Sequence, residues 1–287
     1  MKKKEVKLIL NNLDFSPKKS LGQNFLTDEQ TLSKIIGFSD ILHKDIILEI
    51  GSGLGTLTKK LFENANKVYA YEIDKKLYQY LRKKFSHISN LKLINQDVLE
   101  ADLPDHNKVV SNIPYSITGP ILEKVFFKSN PPEGNLLIEK TIADRIFYKD
   151  EYHNFSRITV TVNSFMEPTE RIQISKNSFY PSPKINLSLI KLKPRQNIHP
   201  FLHHQKTRQF FLKFIAGIMP YKNKNIANAI ELFLKEENIT EIDKDNVINN
   251  LKENNYKNQK VSQFTIDNFA SIAENIYRMI NMEVETP

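Results

Sequence analysis

Two short polar turns carry the residue types from which this chain could build a reactive site. The first is Gly51-Ser52-Gly53-Leu54-Gly55, directly after the β-branched run Ile46–Ile50. The second is Asn112-Ile113-Pro114-Tyr115, directly after the apolar run Lys108–Ser111. A glycine turn between a strand and a helix lets a backbone approach a nucleoside closely. Together the two turns predict methyl transfer from a nucleoside cofactor to an amine conjugated with an aromatic ring.

The second turn is suited to activate a weakly nucleophilic amine such as the exocyclic amine of adenine. The lone pair of that amine is delocalised into the ring, and two acceptors can localise it by drawing its hydrogens out of the plane. We expect the Asn112 side-chain carbonyl and the Ile113 backbone carbonyl to be these acceptors. Pro114 fixes φ and stiffens the turn, and Tyr115 offers a face on which a base can stack. Positioning and electrostatics would then supply most of the catalysis.

Acidic residues follow the next two strand-like runs, where a nucleoside cofactor would need acceptors. Glu72 ends the second run, 21 residues after Gly51, and is placed to accept hydrogen bonds from ribose hydroxyls. Asp97 follows the third run and could accept the amine of the cofactor's adenine. Because ligands of open parallel sheets bind at the carboxyl ends of the strands, we expect Glu72, Asp97 and the glycines Gly51, Gly53 and Gly55 to lie at one edge.

The order of elements predicts an α/β fold with a parallel sheet. Strand-like apolar runs alternate with helix-like segments between Ile46 and Ile138, and the glycine turn opens a helix expected over Leu54–Phe62. The segment Arg157–Phe165 is compatible with a strand or with a buried helix. Beyond it, the runs 170–174 and 185–192 predict a final antiparallel pair.

A domain boundary is expected near Lys193–Gln196, because the apolar periodicity becomes helical beyond it. Four later segments have apolar residues at three- and four-residue spacing: 207–218, 225–234, 243–254 and 266–279. We therefore expect a catalytic domain over 1–195, with a basic N-terminal arm over 1–20, and a small all-α domain over 196–287.

The charge of the chain is consistent with a polyanionic substrate. It has 41 Lys and Arg against 33 Asp and Glu, a formal net charge of +8 and a pI near 9.3. Residues 1–195 hold 30 of the basic and 22 of the acidic side chains, so the surplus lies on the part that carries the two turns. Nucleic acid is favoured by such a surplus, although ordinary solubility charge would also explain it.

Other classes of site are disfavoured by composition. The chain has no cysteine, which excludes disulfides, thiolate metal sites and cysteine nucleophiles. His199, His203 and His204 are close in sequence without acidic partners, so no metal site is predicted. We see no signal peptide and no apolar run long enough to span a bilayer, and therefore expect a cytoplasmic protein without membrane partners.

The motifs stand in an order that resembles the rRNA adenine dimethyltransferases. They are Lys19–Leu26, Glu49–Thr58, Glu72–Asp74, Asp97–Leu99, Ser111–Tyr115 and Phe179–Lys184. Over about 17–192 the chain is most similar to the small-subunit branch, in its archaeal style. The resemblance implies a Rossmann-like class I methyltransferase sheet and S-adenosyl-L-methionine as the cofactor.

The resemblance also implies roles for matching positions. It implies that Tyr115 and Phe179 sandwich a flipped adenine, whereas Phe179 taken alone would be interpreted as a core aromatic. It implies cofactor contacts from Asn24, Leu26, Gly51, Glu72, Asp97 and Asn112. The implied reaction is dimethylation of two adjacent adenosines near the 3′ end of small-subunit rRNA during ribosome biogenesis, by a monomer acting on the immature small subunit.

Two alternatives stay open at this point. One is a large-subunit rRNA adenine methyltransferase of the macrolide-resistance type, although Leu21-Gly22 and the Phe179–Lys184 loop favour the small-subunit branch. The other is a non-catalytic RNA-binding assembly factor on the same fold. The chain also departs from the family in its helical tail, where Tyr221–Asn225 keeps lysines but lacks the usual arginine of a basic Arg-Asn-Lys segment.

Overall fold

The computed structural model describes residues 1–18, 21–148, 155–240, 242, 244–254, 256 and 259–282. Within these ranges the strands are β1 (Phe25–Leu26), β2 (Ile46–Ile50), β3 (Lys67–Tyr71), β4 (Leu91–Ile94), β5 (Lys108–Asn112), β6 (Glu133–Glu139), β7 (Met166–Ile174), β8 (Phe179–Tyr180) and β9 (Leu187–Pro194). The helices are α1 (Lys3–Asn12), α2 (Glu29–Phe38), α3 (Thr56–Asn64), α4 (Lys75–Lys84), α5 (Thr118–Phe126), α6 (Lys140–Ile146), α7 (Arg157–Phe165), α8 (Gln205–Ile218), α9 (Ile226–Glu236), α10 (Lys244–Glu253) and α11 (Ile266–Met282).

Seven strands form one sheet in the order β4-β3-β2-β5-β6-β9-β7. The five strands from β4 to β6 are mutually parallel, and β9 is antiparallel to β6. The strand order reverses between β2 and β5, which is where open α/β sheets bind their ligands. The predicted parallel sheet is therefore confirmed, and the final strands β7 and β9 are adjacent as expected.

The chain divides into two compact units. The first comprises Met1–Phe126, Pro131–Asp144 and Glu167–Pro194, and it holds the sheets apart from Met166. The second comprises Phe127–Asn130, Arg145–Met166 and Arg195–Pro287. The last boundary between the units falls between Pro194 and Arg195, one residue before the division expected from the sequence, and two earlier segments group with the C-terminal helices.

Aromatic packing explains why the earlier segments group with the C-terminal helices. Phe155 stacks on Phe269 of α11 with ring centroids 6.1 Å apart, and Phe165 meets Phe211 of α8 edge-on at 6.5 Å. The segment that the sequence left open is the helix α7. Its β-branched residues are buried on several faces, so tertiary packing overrides their strand propensity.

The N-terminal region is a packed helix rather than only a basic arm. Val6 and Leu10 of α1 are buried in a cluster with Phe25, Leu54 and Leu77. Its lysines remain exposed on the opposite face. In the described part of the chain, no helix is long and apolar enough to cross a membrane.

Candidate active site

The two polar turns lie side by side at the carboxyl ends of β2 and β5. A Cβ placed on Gly51 would lie 3.3 Å from Pro114 Cγ and 3.9 Å from the Asn112 backbone oxygen. Gly51 has a φ of +77°, in the left-handed region that L side chains rarely adopt. Both the conformation and the close approach therefore require glycine at this position.

A crevice forms because β2 and β5 separate towards these ends. Their register pairs Ile47 with Lys108 and Leu48 with Val109. Two residues further on, the Ser111 hydroxyl links the strands instead, donating to the Ile50 carbonyl at 2.6 Å and accepting from the Ile50 N–H at 3.2 Å. The Ser111 side chain thus replaces the backbone hydrogen bonds between β2 and β5 at the point where the two strands separate and leave space for a ligand.

One cavity lies at this crevice and brings together half of the predicted site residues. Its predicted lining residues are Asn24, Leu26, Gly51, Gly53, Asn112 and Phe179. Glu49, Ser52 and Thr56 also line it, although sequence reasoning gave them no separate role. The Thr56 hydroxyl is buried and has no hydrogen-bond partner in the described residues, so it is available to a ligand.

The other predicted residues are not among the lining residues of this cavity. These are Gly55, Glu72, Asp97, Ile113, Pro114 and Tyr115. Gly55 has a packing reason instead, because a Cβ there would lie 2.6 Å from the Phe85 ring and 2.7 Å from Leu81. Asp97 accepts a hydrogen bond from the Leu99 N–H at 2.9 Å and so closes its own turn.

Asn112 presents a free acceptor towards the cavity. Its Nδ2 donates to the Asn24 carbonyl at 3.4 Å, while its Oδ1 is buried without a hydrogen-bond partner in the described residues. The buried hydroxyl of Tyr115 is in the same situation, and burial raises the pKa of Tyr115. Buried polar atoms without partners are rare in folded proteins and call for an explanation. A ligand with amine hydrogens would satisfy Asn112 Oδ1.

Glu72 braces the glycine turn. Its Oε2 accepts from the Gly53 N–H at 2.7 Å, and its Oε1 accepts from the Asp74 N–H at 2.9 Å. Asp74 in turn caps α4 by accepting from the N–H groups of Lys76 and Leu77. The Glu72 carboxylate thus connects the end of β3 to the turn after β2.

Two carboxyl groups near the glycine turn have raised pKa values. Burial raises the pKa of Glu72 to about 7, against the hydrogen bonds from Asp74 and Gly53. Burial also raises the pKa of Glu49 to about 7. Hydrogen bonding with the side chains of Thr58 and Ser52 lowers this pKa in part, whereas the nearby charge of Glu72 raises it further. Sequence reasoning missed Glu49 as a titrating group, since its position before Gly51 does not show its burial.

The raised pKa of Glu49 predicts a pH-dependent cost in stability. Between about pH 4.5 and 7 the folded carboxyl keeps a proton that the unfolded chain has lost. The native state then binds more protons, so the free energy of unfolding falls as pH rises. We expect Glu49→Gln, which stays neutral, to stabilise the protein at pH 8 by up to about 3 kcal/mol, at 1.36 kcal/mol per pKa unit, and to change little at pH 5.

Urea unfolding of wild type and variant at both pH values measures this effect. Glu63→Gln, at an exposed carboxylate on α3 that pairs with Lys60, is the matched control and should not show a pH-dependent gain. Equal stability of Glu49→Gln and wild type at pH 8 would contradict the assignment.

The fold and this site define the class I methyltransferases: a parallel sheet that reverses between β2 and β5, a glycine turn after β2 and a polar turn after β5. A family model described as "Ribosomal RNA adenine dimethylase" matches residues 14–271. The chain belongs to this family, and the resemblance inferred from its motifs is confirmed.

Curated relatives agree with the small-subunit branch. One is the "Probable ribosomal RNA small subunit methyltransferase A" of Methanococcoides burtonii, 38% identical over 208 residues, covering 72% of this chain and 75% of the relative. Another is the "Ribosomal RNA small subunit methyltransferase A" of Borrelia garinii, 34% identical over 275 residues, covering 94% and 92%. These names support the small-subunit interpretation over the large-subunit alternative.

Two solved structures are similar in fold. A dimethyladenosine transferase from Plasmodium falciparum has a TM-score of 0.77 and 22% identity, covering 89% of this chain and 98% of that one. The 23S rRNA methyltransferase ErmE has a TM-score of 0.60 and 23% identity, covering 88% and 100%. At these identities the similarity establishes the fold, and the predicted class I sheet is confirmed.

The chain is an rRNA adenine dimethyltransferase, and its family uses S-adenosyl-L-methionine. The residues present fit this cofactor on two grounds. Gly53 lines the cavity, and a side chain at this position would occupy space there, because a Cβ on Gly53 would lie 3.2 Å from the ring of Phe25, which also lines the cavity. Three of the cavity's lining residues also have a buried oxygen without a partner in the described part of the chain: Glu49 Oε2, Thr56 Oγ1 and Asn112 Oδ1. These oxygens can accept hydrogen bonds from donors of the cofactor or of the target amine.

Proposed function

We propose that this protein methylates the exocyclic N6 amine of two adjacent adenosines near the 3′ end of small-subunit rRNA. One observation carries the proposal: Asn112 Oδ1 is a buried acceptor, without a partner among the residues that the structure describes, in the same cavity as Gly51 and Gly53. We further propose that the substrate is an immature small ribosomal subunit, that the enzyme acts as a monomer in the cytoplasm, and that both methyl groups are added to each amine.

Each site residue then has a role in binding or in positioning. S-adenosyl-L-methionine, when bound, supplies an electrophilic methyl group on a positively charged sulfur. The turn glycines Gly51 and Gly53 would leave room for it, whereas Gly55 would contribute by shaping the turn, since it packs against Phe85 and Leu81. The cofactor's remaining contacts would come from Asn24, Leu26, Glu72, Asp97 and Asn112.

The Asn112 turn activates the acceptor. Asn112 Oδ1 and the Ile113 carbonyl oxygen would each accept one hydrogen of the adenine amine and localise its lone pair on nitrogen. With its lone pair localised by these two acceptors, the nitrogen would be the nucleophile for the methyl group that the cofactor supplies, and the displaced amine proton would leave to solvent. The two acceptors are fixed before the reaction, because Pro114 stiffens the turn and the Ile113 N–H donates to the Leu137 carbonyl at 3.1 Å.

Phe179 and Tyr115 would hold the flipped base. Flipping carries an unstacking cost of a few kcal/mol, which aromatic faces partly recover. Phe179 is 1% exposed and belongs to a core cluster that Tyr115 packs against, and it also lines the cavity. Its position is thus compatible with packing and with base stacking, and a substitution can separate the two.

Phe179→Leu should lower the single-turnover rate by about tenfold, while cofactor affinity stays within about twofold. The loss of one base–aromatic stacking contact corresponds to roughly 1–3 kcal/mol. Phe62→Leu is the matched control, because Phe62 packs against the same core cluster but does not line the cavity. If both variants lose similar stability and neither loses turnover, Phe179 is a packing residue only.

Methyl transfer from labelled cofactor to small subunits of a strain lacking this activity tests the proposed function. Mass spectrometry of the rRNA digest should show dimethyladenosine at two neighbouring positions of small-subunit rRNA. Label confined to large-subunit rRNA would contradict the target, and no label with either subunit would favour the non-catalytic assembly factor.

A further inference from the structure

We propose that a groove between α1 and α4 binds the sugar-phosphate backbone of the RNA substrate outside the reactive cavity. The identity of that RNA rests on the proposed function, whereas the binding surface rests on the structure. The α1–α4 groove is lined by Ile9, Leu13, Lys76, Tyr80, Lys83 and Lys84, with Asn12 and Gln79.

The charge of the groove is of one sign. The ten residues of α4 include five basic side chains and no acidic one. Lys2, Lys3, Lys4 and Lys7 add four more on α1 and before it, all of them exposed. The acidic groups of these elements are few: Asp74 pairs with Lys18, and the exposed Glu5 accepts from the backbone N–H of Lys2. A polyanion is the partner that this surface complements.

Helix electrostatics explains only part of the pattern. Arg82, Lys83 and Lys84 lie in the last turn of α4, where cations interact favourably with the helix dipole. Lys75 and Lys76 lie in the first turn, where the dipole disfavours them. Lys76 donates to the Asp14 carbonyl at 2.8 Å, but Lys75 is exposed and has no carboxylate partner in the described part of the chain. A bound phosphate group would supply Lys75 with the anionic partner that it lacks among the described residues.

The floor of the groove suits a nucleotide rather than a simple anion. Ile9, Leu13 and Tyr80 are half-buried and provide apolar and aromatic surface between the lysines. Lys84 Nζ lies 5.2 Å from the centre of the Tyr80 ring. Aromatic faces within a basic groove are typical of surfaces that bind single-stranded nucleic acid, with the bases stacked and the phosphates neutralised.

The basic surface continues to the residues of the reactive cavity. Lys3 and Lys7 lie over the ring of Tyr180, at 5.6 and 5.3 Å from its centre. Tyr180 follows Phe179 in β8 and pairs with Phe25 of β1, and Phe25 and Phe179 both line the cavity. A strand whose adenine enters the cavity could therefore place its neighbouring phosphates along α1 and into the groove.

The experiment neutralises four exposed lysines of this surface: Lys3, Lys7, Lys75 and Lys83, each replaced by Gln. A matched control replaces four exposed lysines outside it, Lys34, Lys44, Lys67 and Lys92, each by Gln. The probe is a 3′-terminal fragment of small-subunit rRNA, and its affinity is measured by fluorescence anisotropy at several salt concentrations without cofactor. We expect the fourfold variant to lose at least tenfold in affinity at 0.15 M salt, and the slope of log affinity against log salt to fall by about three, at roughly 0.7 for each of the four lost phosphate contacts.

Three further measurements make the result specific. A version with Arg at the same four positions should bind RNA within about threefold of wild type, because the charge is kept. Cofactor affinity by calorimetry and melting temperature should be unchanged in all variants. Affinity and salt slope equal to those of the control would overturn the proposal, as would unchanged binding of naked RNA with lost binding of whole small subunits, which would indicate a ribosomal protein as the occupant.

The outcome is independent of the proposed function. If wild type binds RNA through the groove but methylates no small-subunit rRNA, the proposed function fails and the groove stands. If wild type methylates its substrate and the fourfold variant binds and reacts as well as wild type, the groove assignment fails alone.

Discussion

Asn112→Ala should lower the single-turnover rate of methyl transfer by about 10² to 10³-fold, the range found when one preorganised polar group is removed from a reacting centre. The reason is that Asn112 Oδ1 is the buried acceptor with no partner of its own in the described residues. Its loss should leave the fold intact, because the only hydrogen bond that its side chain makes within those residues is a long one, 3.4 Å from Nδ2 to the Asn24 carbonyl. Transfer of labelled methyl groups to small subunits, with enzyme in excess, measures the rate.

The control for this prediction is Asn66→Ala, at an exposed asparagine between α3 and β3. It should react as wild type does. RNA affinity of Asn112→Ala should also stay close to wild type, since binding and activation are separate here. A rate within about threefold of wild type would show that the amine is activated by another group.

Glu72→Ala should weaken cofactor affinity by about 30- to 100-fold and leave RNA affinity within about twofold. A hydrogen bond to a charged group contributes roughly 1.5–3 kcal/mol, and the ribose hydroxyls would lose one or two. The structure adds a second cause, because the N–H groups of Gly53 and Asp74 lose their acceptor and the glycine turn loosens. Calorimetric titration with cofactor and anisotropy with RNA measure the two affinities.

Glu100→Ala, at an exposed carboxylate after β4, serves as the control for charge removal and should not affect either affinity. Equal losses of cofactor and RNA affinity in Glu72→Ala would contradict a specific role in cofactor binding. Binding of cofactor by wild type should also strengthen from pH 5 to 8, because donors to Glu72 favour its ionised form and its pKa without ligand is about 7.

The elements that define the sheet were predictable because their signals are local. The run Ile46–Ile50 is β2 to the residue, and the Asp74 cap is found at the start of α4. The helix expected to begin at Leu54 begins instead at Thr56, since Gly55 takes a left-handed φ of +75° as its N-cap. The adjacency of the glycine and Asn112 turns also followed from sequence, because parallel strands end at one edge.

Features that depend on long-range packing were not predictable. The helix α1 is amphipathic, but its partners Phe25, Leu54 and Leu77 come from three separate elements. Gly55 and Gly51 belong to the same glycine motif, but the sequence does not reveal that Gly55 adjoins Phe85 rather than the cavity. The raised pKa of Glu49 arises from complete burial, which the glycine motif beside it does not reveal.

The pairing of β2 with β5 has a consequence for how the enzyme is made. The partners Ile47 and Lys108 are 61 positions apart, so the strand that leads into the glycine turn is synthesised long before the strand that leads into the Asn112 turn. Contacts of such separation form late in folding, because the intervening chain has to be ordered first. A nascent chain that stops before Lys108 would contain the glycine turn but not the Asn112 turn. Incomplete chains would therefore be unable to methylate RNA.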